Sequence, residues 1–368
     1  MTGLDRLNIE ENLIDAPIDT EFPTANERLN AWGDPDLEDA KKIIEEWWDT
    51  KQIKKLNPEL AKKLVLPGFN QNLPLDLSWL KSIDEKTAEQ IARFRWKRLQ
   101  LNWLEKLDLE SAKMLSGFMG DSIELNSLKN VDGIASQLAK FQWIKLSLNW
   151  LETINPKAAK DLAWFLWSHL QLDWLIYIDE QIAEILSWFK WLDLRLNWLI
   201  RIDEKAAENL AKFKWRDLFL MGLKFIDEKT AENLAKFKWY RLRLDWLTYM
   251  DEKIAEKLAW FQGIELWLDW VTYIDEKTAE NLAKFRWNRL HLNWLKKIDT
   301  KTAENLVKFN WYCLLLNWLS NIDEKTAEKL ASFRGKALRL EWIKSMDADT
   351  LNKLMSFQCD RIYTWLND

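Results

Sequence analysis

The chain has 368 residues, of which 48 % are hydrophobic and 30 % charged, with nine Gly and seven Pro. This composition excludes collagen-like, fibrous and disordered chains and is sufficient for a large core. The 53 basic and 58 acidic side chains give a net charge of -5, which argues against a nucleic-acid binder held by bulk charge. Tryptophan is the unusual component, with 26 residues against six Tyr.

Two cysteines, Cys313 and Cys359, cannot form a disulfide framework, and the chain begins without a basic segment followed by an apolar run. We therefore expect a reducing, cytoplasmic location, with export by another route left open. Charges interrupt every apolar run before it reaches the ~18 to 20 residues that span a bilayer. Membrane insertion is not expected.

The first 74 residues precede the regular part of the chain. Residues 1–33 are acidic, carry several Asn and contain two Pro, which predicts a poorly ordered arm. Residues 34–74 predict a helical cap, with one helix starting at Asp34 and another at Asn57, each followed by Pro in the first turn. Such a cap would seal the first unit of a repeat array.

From Leu75 onward the sequence repeats every 24 residues, except for one unit of 23. Twelve units fill residues 75–361, and a truncated thirteenth occupies residues 362–368. The unit reads L-x-L-N-W-L-x-x-I-D-E-K-T-A-E-N-L-A-K-F-K-W-x-x. Position 1 is occupied by Leu75, Leu99, Ile123, Leu146, Leu170, Leu194, Leu218, Leu242, Leu266, Leu290, Leu314, Leu338 and Ile362.

Each unit predicts a strand, a turn and a short helix. Apolar residues at positions 1 and 3 alternate with polar or variable residues, which is the period of a short strand with one buried face. Asp or Asn at position 10 is a helix N-cap, because its side chain can accept a hydrogen bond from a free main-chain N–H. Glu at position 15 and Lys at position 19, as in Glu280 and Lys284, predict an ion pair on the outer face of the helix.

This unit resembles the leucine-rich repeats, specifically the bacterial repeats of about this length, and the resemblance covers roughly residues 75–368. It implies an α/β solenoid with a parallel sheet on the concave face, helices on the convex face and recognition by concave strand residues. The chain departs from those repeats by carrying Trp at position 5, where Gly is common, and a second Trp at position 22. The repeat pattern agrees independently, because one unit cannot enclose a core and its apolar positions, including Phe at position 20, must stack on those of the next unit.

The C-terminal end of the array predicts an exposed strand edge. Residues 362–368 are too short to form a full cap. An uncovered edge strand can pair with another chain.

The residues that could support catalysis are few. His169 and His291 lie five units apart, and Cys313 and Cys359 about two units apart, so neither pair predicts a metal site. The sequence contains neither G-x-x-x-x-G-K nor G-x-G-x-x-G. We expect a non-enzymatic protein without a catalytic residue, a bound metal or a cofactor.

Variable positions predict the binding surface. Positions 24 and 2 change freely from unit to unit and, by strand parity, point away from the core. Arg, Trp and Phe are frequent there, and these residues anchor many interfaces. The predicted partner-binding residues are Arg195, Asp217, Phe219, Arg241, Arg243, Glu265, Trp267, Arg289 and His291.

Two sets of Trp predict aromatic ladders. Position 5 carries Trp79, Trp103, Trp150, Trp174, Trp198, Trp246, Trp270, Trp294, Trp318 and Trp342. Position 22 carries Trp96, Trp143, Trp167, Trp191, Trp215, Trp239, Trp287 and Trp311, but Gly in three other units. Because exchange of Trp for Gly in a tight core would leave a costly void, we expect the position 22 ladder, in particular Trp167, Trp191, Trp215, Trp239, Trp287 and Trp311, to be exposed on one side. Such a ladder either stiffens the turns or binds a partner.

The leading functional prediction is a module that binds a protein, or another macromolecule, through its concave face. One alternative is a structural solenoid that associates with itself through the Trp ladders or the C-terminal edge. The other alternative is glycan binding on exposed Trp. Nucleic acid is a disfavoured partner.

Overall fold

The computed structural model describes residues 74–93, 97–141, 144–164, 169–190, 192–214, 216–286, 288–309, 312–341, 349–350 and 361–363, with Pro58, Ala61 and Leu354. The chain divides into two compact units, residues 1–52 and 53–368, and every described residue lies in the second. The predicted arm lies outside the described residues. In the predicted cap, Pro58 and Ala61 are helical, and the remainder of that prediction is untested.

Thirteen three-residue strands in the described part of the chain form one parallel sheet in sequence order. They are β1 (Pro74–Asp76), β2 (Arg98–Gln100), β3 (Ser122–Glu124), β4 (Lys145–Ser147), β5 (His169–Gln171), β6 (Asp193–Arg195), β7 (Asp217–Phe219), β8 (Arg241–Arg243), β9 (Glu265–Trp267), β10 (Arg289–His291), β11 (Cys313–Leu315), β12 (Ala337–Arg339) and β13 (Arg361–Tyr363). Position 1 pairs with position 1 throughout, as in Leu242 opposite Leu266. Every repeat position therefore forms a column that runs along the array.

A helix follows each of the first eleven of these strands. They are α1 (Glu85–Ala92), α2 (Leu109–Leu115), α3 (Ala135–Leu138), α4 (Pro156–Ala163), α5 (Glu180–Ser187), α6 (Glu204–Leu210), α7 (Glu228–Leu234), α8 (Glu252–Leu258), α9 (Glu276–Leu282), α10 (Thr300–Leu306) and α11 (Glu324–Ala331). The predicted helix N-cap at position 10 is confirmed in α9, where Asp275 Oδ1 accepts a hydrogen bond from the main-chain N–H of Thr278 at 2.8 Å. This bond lowers the pKa of Asp275, because it stabilises the ionised carboxylate.

Helix α3 departs from the pattern because it lies in the 23-residue unit. It has only four residues, and its N-cap, Ile134, provides no side-chain hydrogen bond. The missing residue displaces Asp132 from the capping position. The chain compensates at Gly133, whose φ of 83° is the left-handed conformation that glycine adopts most easily.

The core lies between the sheet and the helices. Position 1 is fully buried in the described units from Leu99 to Leu338. Phe at position 20 forms a stacked column, with centroids 6.0 Å apart between Phe261 and Phe285. The predicted stacking of each unit on the next is therefore confirmed.

Contacts between repeats also cross the helix surface. Asn281 donates from Nδ2 to the main-chain oxygen of Glu252 at 2.9 Å, and Lys277 pairs with the Glu252 carboxylate at 3.4 Å. The predicted pair between positions 15 and 19 forms in the sixth unit, where Lys212 lies 3.6 Å from Glu208. It does not form between Glu280 and Lys284, because Lys284 instead donates to Asn281 Oδ1 at 2.7 Å. The structure uses these helix charges mainly to join neighbouring units.

Candidate binding surfaces

The sheet face opposite the helices, here called the open face, carries a row of charged side chains at position 24. His169 Nδ1 lies 2.7 Å from the Asp193 carboxylate. Arg241 Nη1 lies 3.6 Å from Asp217, and its Nε donates to Glu265 at 3.0 Å. The in-register parallel pairing produces this row, because it places position 24 of each unit beside the same position of the next.

Glu265 is the centre of this row and is only 1 % exposed. Its carboxylate accepts hydrogen bonds from Arg241, from Arg289 Nη1 at 3.2 Å and from Trp267 Nε1 at 3.1 Å. A buried carboxylate is costly unless it is fully paired. Glu265 meets that requirement and holds two guanidinium groups and an indole in fixed positions.

Position 2 forms a second row, in which cations alternate with aromatic rings. The Arg195 guanidinium lies 4.7 Å from the Phe219 ring centre, and that of Arg243 lies 4.3 Å from the Trp267 ring centre. Trp267 then stacks on His291, with centroids 3.6 Å apart. Contacts of this kind stabilise both groups and restrict the movement of each arginine.

Burial and neighbouring charges shift the pKa values of several groups on the open face. Burial, with the neighbouring charge of Asp193, raises the pKa of Asp217 to about 7, although Arg241 opposes the shift. For Asp193, burial is outweighed by the hydrogen bond with His169, and its pKa falls. Burial and the charge of Arg289 lower the pKa of His291 well below 6.5, so its ring is neutral.

The nine predicted partner-binding residues all lie on the open face, but they differ in access. The side chains of Asp217, Phe219, Glu265 and His291 are buried. Those of Arg195, Arg241, Arg243, Trp267 and Arg289 are partly exposed. The surface that a partner can contact therefore consists of arginine guanidinium groups and one indole. The buried carboxylates beneath these groups keep them in place.

Seven of the ten Trp residues predicted to form a ladder at position 5 do form one, and it lies on the surface. Seven rings make successive contacts at centroid distances of 5.1–5.9 Å: Trp150, Trp174, Trp198, Trp246, Trp270, Trp294 and Trp318. Trp246 is partly exposed, and the exposed fraction of the other six runs from 37 % at Trp174 to 46 % at Trp150. Trp342, at the same position, lies outside the described residues.

The seventh unit carries Gly222 at position 5 and does not interrupt the ladder. Trp198 and Trp246 meet edge to face across it, with centroids 5.5 Å apart and planes at 71°. A Cβ atom at Gly222 would lie 2.4 Å from the main-chain oxygen of Asn197. Glycine is therefore required there by close packing.

Sequence reasoning missed a second exposed column beside the ladder. In each of the fifth to ninth units, position 7, position 8 or both carry a large apolar side chain. All six of these side chains are exposed: Ile176, Tyr177, Ile200, Phe225, Tyr249 and Tyr273. Position 6 is a buried Leu or Val, so positions 5, 7 and 8 face outward around it. The sequence signal is the presence of apolar residues at positions that are otherwise mostly polar or charged. We call the seven stacked Trp and these six residues the aromatic edge.

Of the predicted position 22 ladder, the structure describes Trp239, which is 45 % exposed. Trp167, Trp191, Trp215, Trp287 and Trp311 lie outside the described residues, so the ladder is untested. Gly263, also at position 22, is tightly packed, because a Cβ atom there would lie 2.2 Å from the Phe261 ring. A larger side chain at Gly263 would therefore require its neighbours to shift.

Within the described ranges, no three His, Cys, Asp or Glu side chains converge to hold a metal ion. None of the helices described is long and apolar enough to cross a membrane.

No family model and no curated protein matches the sequence. Among solved structures, the chain is similar to the TLR13–ssRNA13 complex, with a TM-score of 0.52 and 18 % identity over 84 % of this chain. It spans 48 % of that TLR13 chain. An internalin (inlF) from Listeria monocytogenes aligns with a TM-score of 0.48 and 14 % identity over 93 % of this chain and 98 % of its own. Toll from the Drosophila Toll–Spatzle complex gives a TM-score of 0.38 and 13 % identity over 85 % of this chain and 39 % of its own.

At these identities the similarity concerns the fold. The TLR13 match agrees with the repeating strand, turn and helix and with the single parallel sheet in sequence order. The described chain is therefore a leucine-rich-repeat solenoid.

Proposed function

We propose that the chain is a non-enzymatic module that binds a protein through the open face of its sheet, around Arg195 to Arg289. The observation that carries this proposal is the set of fixed arginines. Arg241 and Arg289 are held by Glu265, while Arg243 donates from Nε to Asp245 at 3.0 Å. Arginines that are already ordered lose little entropy when a partner binds.

The chemistry of this surface favours acidic protein segments. A guanidinium group has five N–H donors, and the contacts within the open face use only some of them. Donors that remain can bind carboxylates or main-chain oxygens of a partner, while Trp267 adds apolar area. The preferred partner is therefore an acid-containing segment with an apolar residue that covers Trp267.

A binding role is also supported by the state of the two histidines. His169 is paired with Asp193. His291 is buried, and neither of its ring nitrogens has a hydrogen-bond partner. In the described strands, the neighbours of His169 at its repeat position are Lys145 and Asp193. Those of His291 are Trp267 and Leu315. Neither histidine therefore lies beside a Ser or Cys nucleophile in these strands.

The few cysteines favour a cytoplasmic location for this module, because reducing compartments do not support disulfide frameworks. Fractionation of cells that make the protein would test this part of the proposal. Recovery outside the cytoplasm would contradict it.

The test selects random displayed peptides on the immobilised chain and measures the affinity of the selected peptides for variants. Arg195→Ala and Trp267→Ala remove exposed anchors, whereas Arg241 and Arg243 are left in place because they neutralise Glu265 and Asp245. We expect acid-rich peptides whose affinity falls roughly tenfold or more in each variant. The matched control is Lys229→Ala on α7, which should leave affinity unchanged.

Peptides that bind the variants as tightly as the unchanged chain would contradict the proposal. So would peptides that lose affinity only in the Lys229→Ala control. Circular dichroism of each variant confirms that the fold is retained.

A further inference from the structure

We propose that the aromatic edge is the interface of a symmetric dimer, in which a second copy of this chain packs against it in the antiparallel direction. This inference goes beyond the proposed function, because it concerns a different surface from the open face. It rests on the stacking of the Trp rings, on the apolar area and on the charges that border the edge.

The stacking of the rings indicates what the edge can bind. Trp174 has a ring on each side, at 5.3 Å from Trp150 and 5.1 Å from Trp198. Trp294 is likewise enclosed between Trp270 and Trp318. Sugars stack on open ring faces, but neighbouring rings occupy both faces of these two rings. The exposed parts of these rings are their rims, which suit packing against another apolar protein surface.

The exposed area is large enough for a dimer. A fully covered aromatic side chain removes on the order of 150 to 250 Å² from water. Each residue of the edge other than Trp246 is between 37 % and 69 % exposed. The thirteen side chains together therefore expose on the order of 1,000 Å². A typical monomer has no apolar patch above roughly 600 Å², whereas each partner in a standard interface contributes about 800 Å².

Two pairs of residues on the border of the edge are complementary when one copy is reversed, although Lys224, beside Phe225, then faces its own copy. A two-fold axis at the seventh unit places Phe225 opposite its own copy. It then places Glu152 of the fourth unit opposite Lys296 of the tenth, and Arg201 of the sixth opposite Tyr249 of the eighth. All six of these residues are exposed. Each contact occurs twice in the dimer, as a two-fold interface requires.

The test measures the mass of the full chain by light scattering after size exclusion across a wide concentration range. We expect a limit of twice the 44.1 kDa of one chain. Phe225→Glu should give a monomer, because it places two carboxylates together at the axis. Glu152→Lys and Lys296→Glu should each weaken dimerisation roughly tenfold, since each creates two like-charge contacts.

The decisive variant combines Glu152→Lys with Lys296→Glu, because it restores opposite charges and should recover the dimer. Glu280→Lys on α9 is the matched control and should leave the mass unchanged. Arg195→Ala should also dimerise normally, which separates this inference from the function of the open face.

Three outcomes would overturn the proposal. They are a monomer at every concentration, a dimer that persists in Phe225→Glu, and a charge-reversed double variant that stays as weak as the single variants. A mass that continues to rise beyond two chains would indicate filaments through the C-terminal strand edge and would overturn it as well. Oligosaccharide binding by a strictly monomeric chain would do the same.

Discussion

Arg241 on β8 donates from Nε to the carboxylate of Glu265 on the neighbouring strand β9, at 3.0 Å. Glu265→Ala would leave the partly buried Arg241 and Arg289 close together without their shared acid. We expect the free energy of unfolding to fall by about 2–4 kcal/mol, near the range for a broken buried pair. Urea unfolding followed by circular dichroism measures it.

Glu280→Ala is the control for this change, because Glu280 is exposed on α9. Its effect should stay within about 0.5 kcal/mol. Equal losses in the two variants would contradict the structural importance of Glu265.

Asp217→Asn should change how stability depends on pH. Burial is the main cause that raises the pKa of Asp217 from 3.8 to about 7. The charge of Asp193 also raises this pKa, whereas the charge of Arg241 lowers it. Between these two values the folded chain holds a proton that the unfolded chain has lost, so stability contributed by this group falls as pH rises. Asp217→Asn has no such proton and should become more stable relative to the unchanged chain, by about 1–3 kcal/mol between pH 4 and pH 8.

Asp275→Asn is the control, because the pKa of Asp275 is lowered by the N–H of Thr278. Its carboxylate is ionised in both folded and unfolded chains above pH 5, so its effect on unfolding should be flat in that range. A flat difference for Asp217→Asn as well would contradict the buried proton.

His291→Phe should stabilise the chain. Both ring nitrogens of His291 are buried without a hydrogen-bond partner, and the ring stacks on Trp267. Phe keeps the stack and removes the unpaired polar atoms, which should add about 1 kcal/mol to the free energy of unfolding at pH 8. The gain should increase below about pH 6.5, since the unfolded wild-type chain binds a proton there that burial denies the folded one. A loss of stability at pH 8, measured by urea unfolding, would contradict this account.

Gly222→Ala should destabilise the chain, although an alanine is smaller than the Trp found at position 5 of neighbouring units. The added Cβ would meet the main-chain oxygen of Asn197 at 2.4 Å, so the backbone must shift. We expect a loss of about 1–3 kcal/mol. Gly117→Ala is the control, because its Cβ would lie 3.4 Å from the oxygen of Met114. The thermal unfolding midpoint should fall only in the first variant.

The fold could be predicted from the repeat because its determinants are local or repeated. Each unit contains its own strand pattern and helix N-cap, and the residue at each repeat position packs on the residue at the same position of the next unit. The pairing of Leu242 with Leu266 and the cap at Asp275 follow from that regularity. In the 23-residue unit the spacing changes after Asp132, and the helix of that unit has no side-chain hydrogen bond at its N-cap.

The candidate site could be predicted only in part, because access and protonation depend on neighbouring units. Asp193 and Asp217 occupy the same repeat position, yet their pKa values move in opposite directions. His169 supports the ionised form of Asp193, whereas Asp217 is next to that negative charge. The apolar column containing Phe225 and Tyr273 was missed because positions 7 and 8 look variable when each unit is considered alone.

The short helix α3 has a consequence for how the array unfolds. In a solenoid each unit is stabilised mainly by its two neighbours, so cooperativity passes from unit to unit through their interfaces. With four residues and an N-cap that provides no side-chain hydrogen bond, α3 supports its neighbours less than the longer capped helices do. We expect the array to open there first, with the units before α3 exchanging their amide hydrogens earlier than those that follow it.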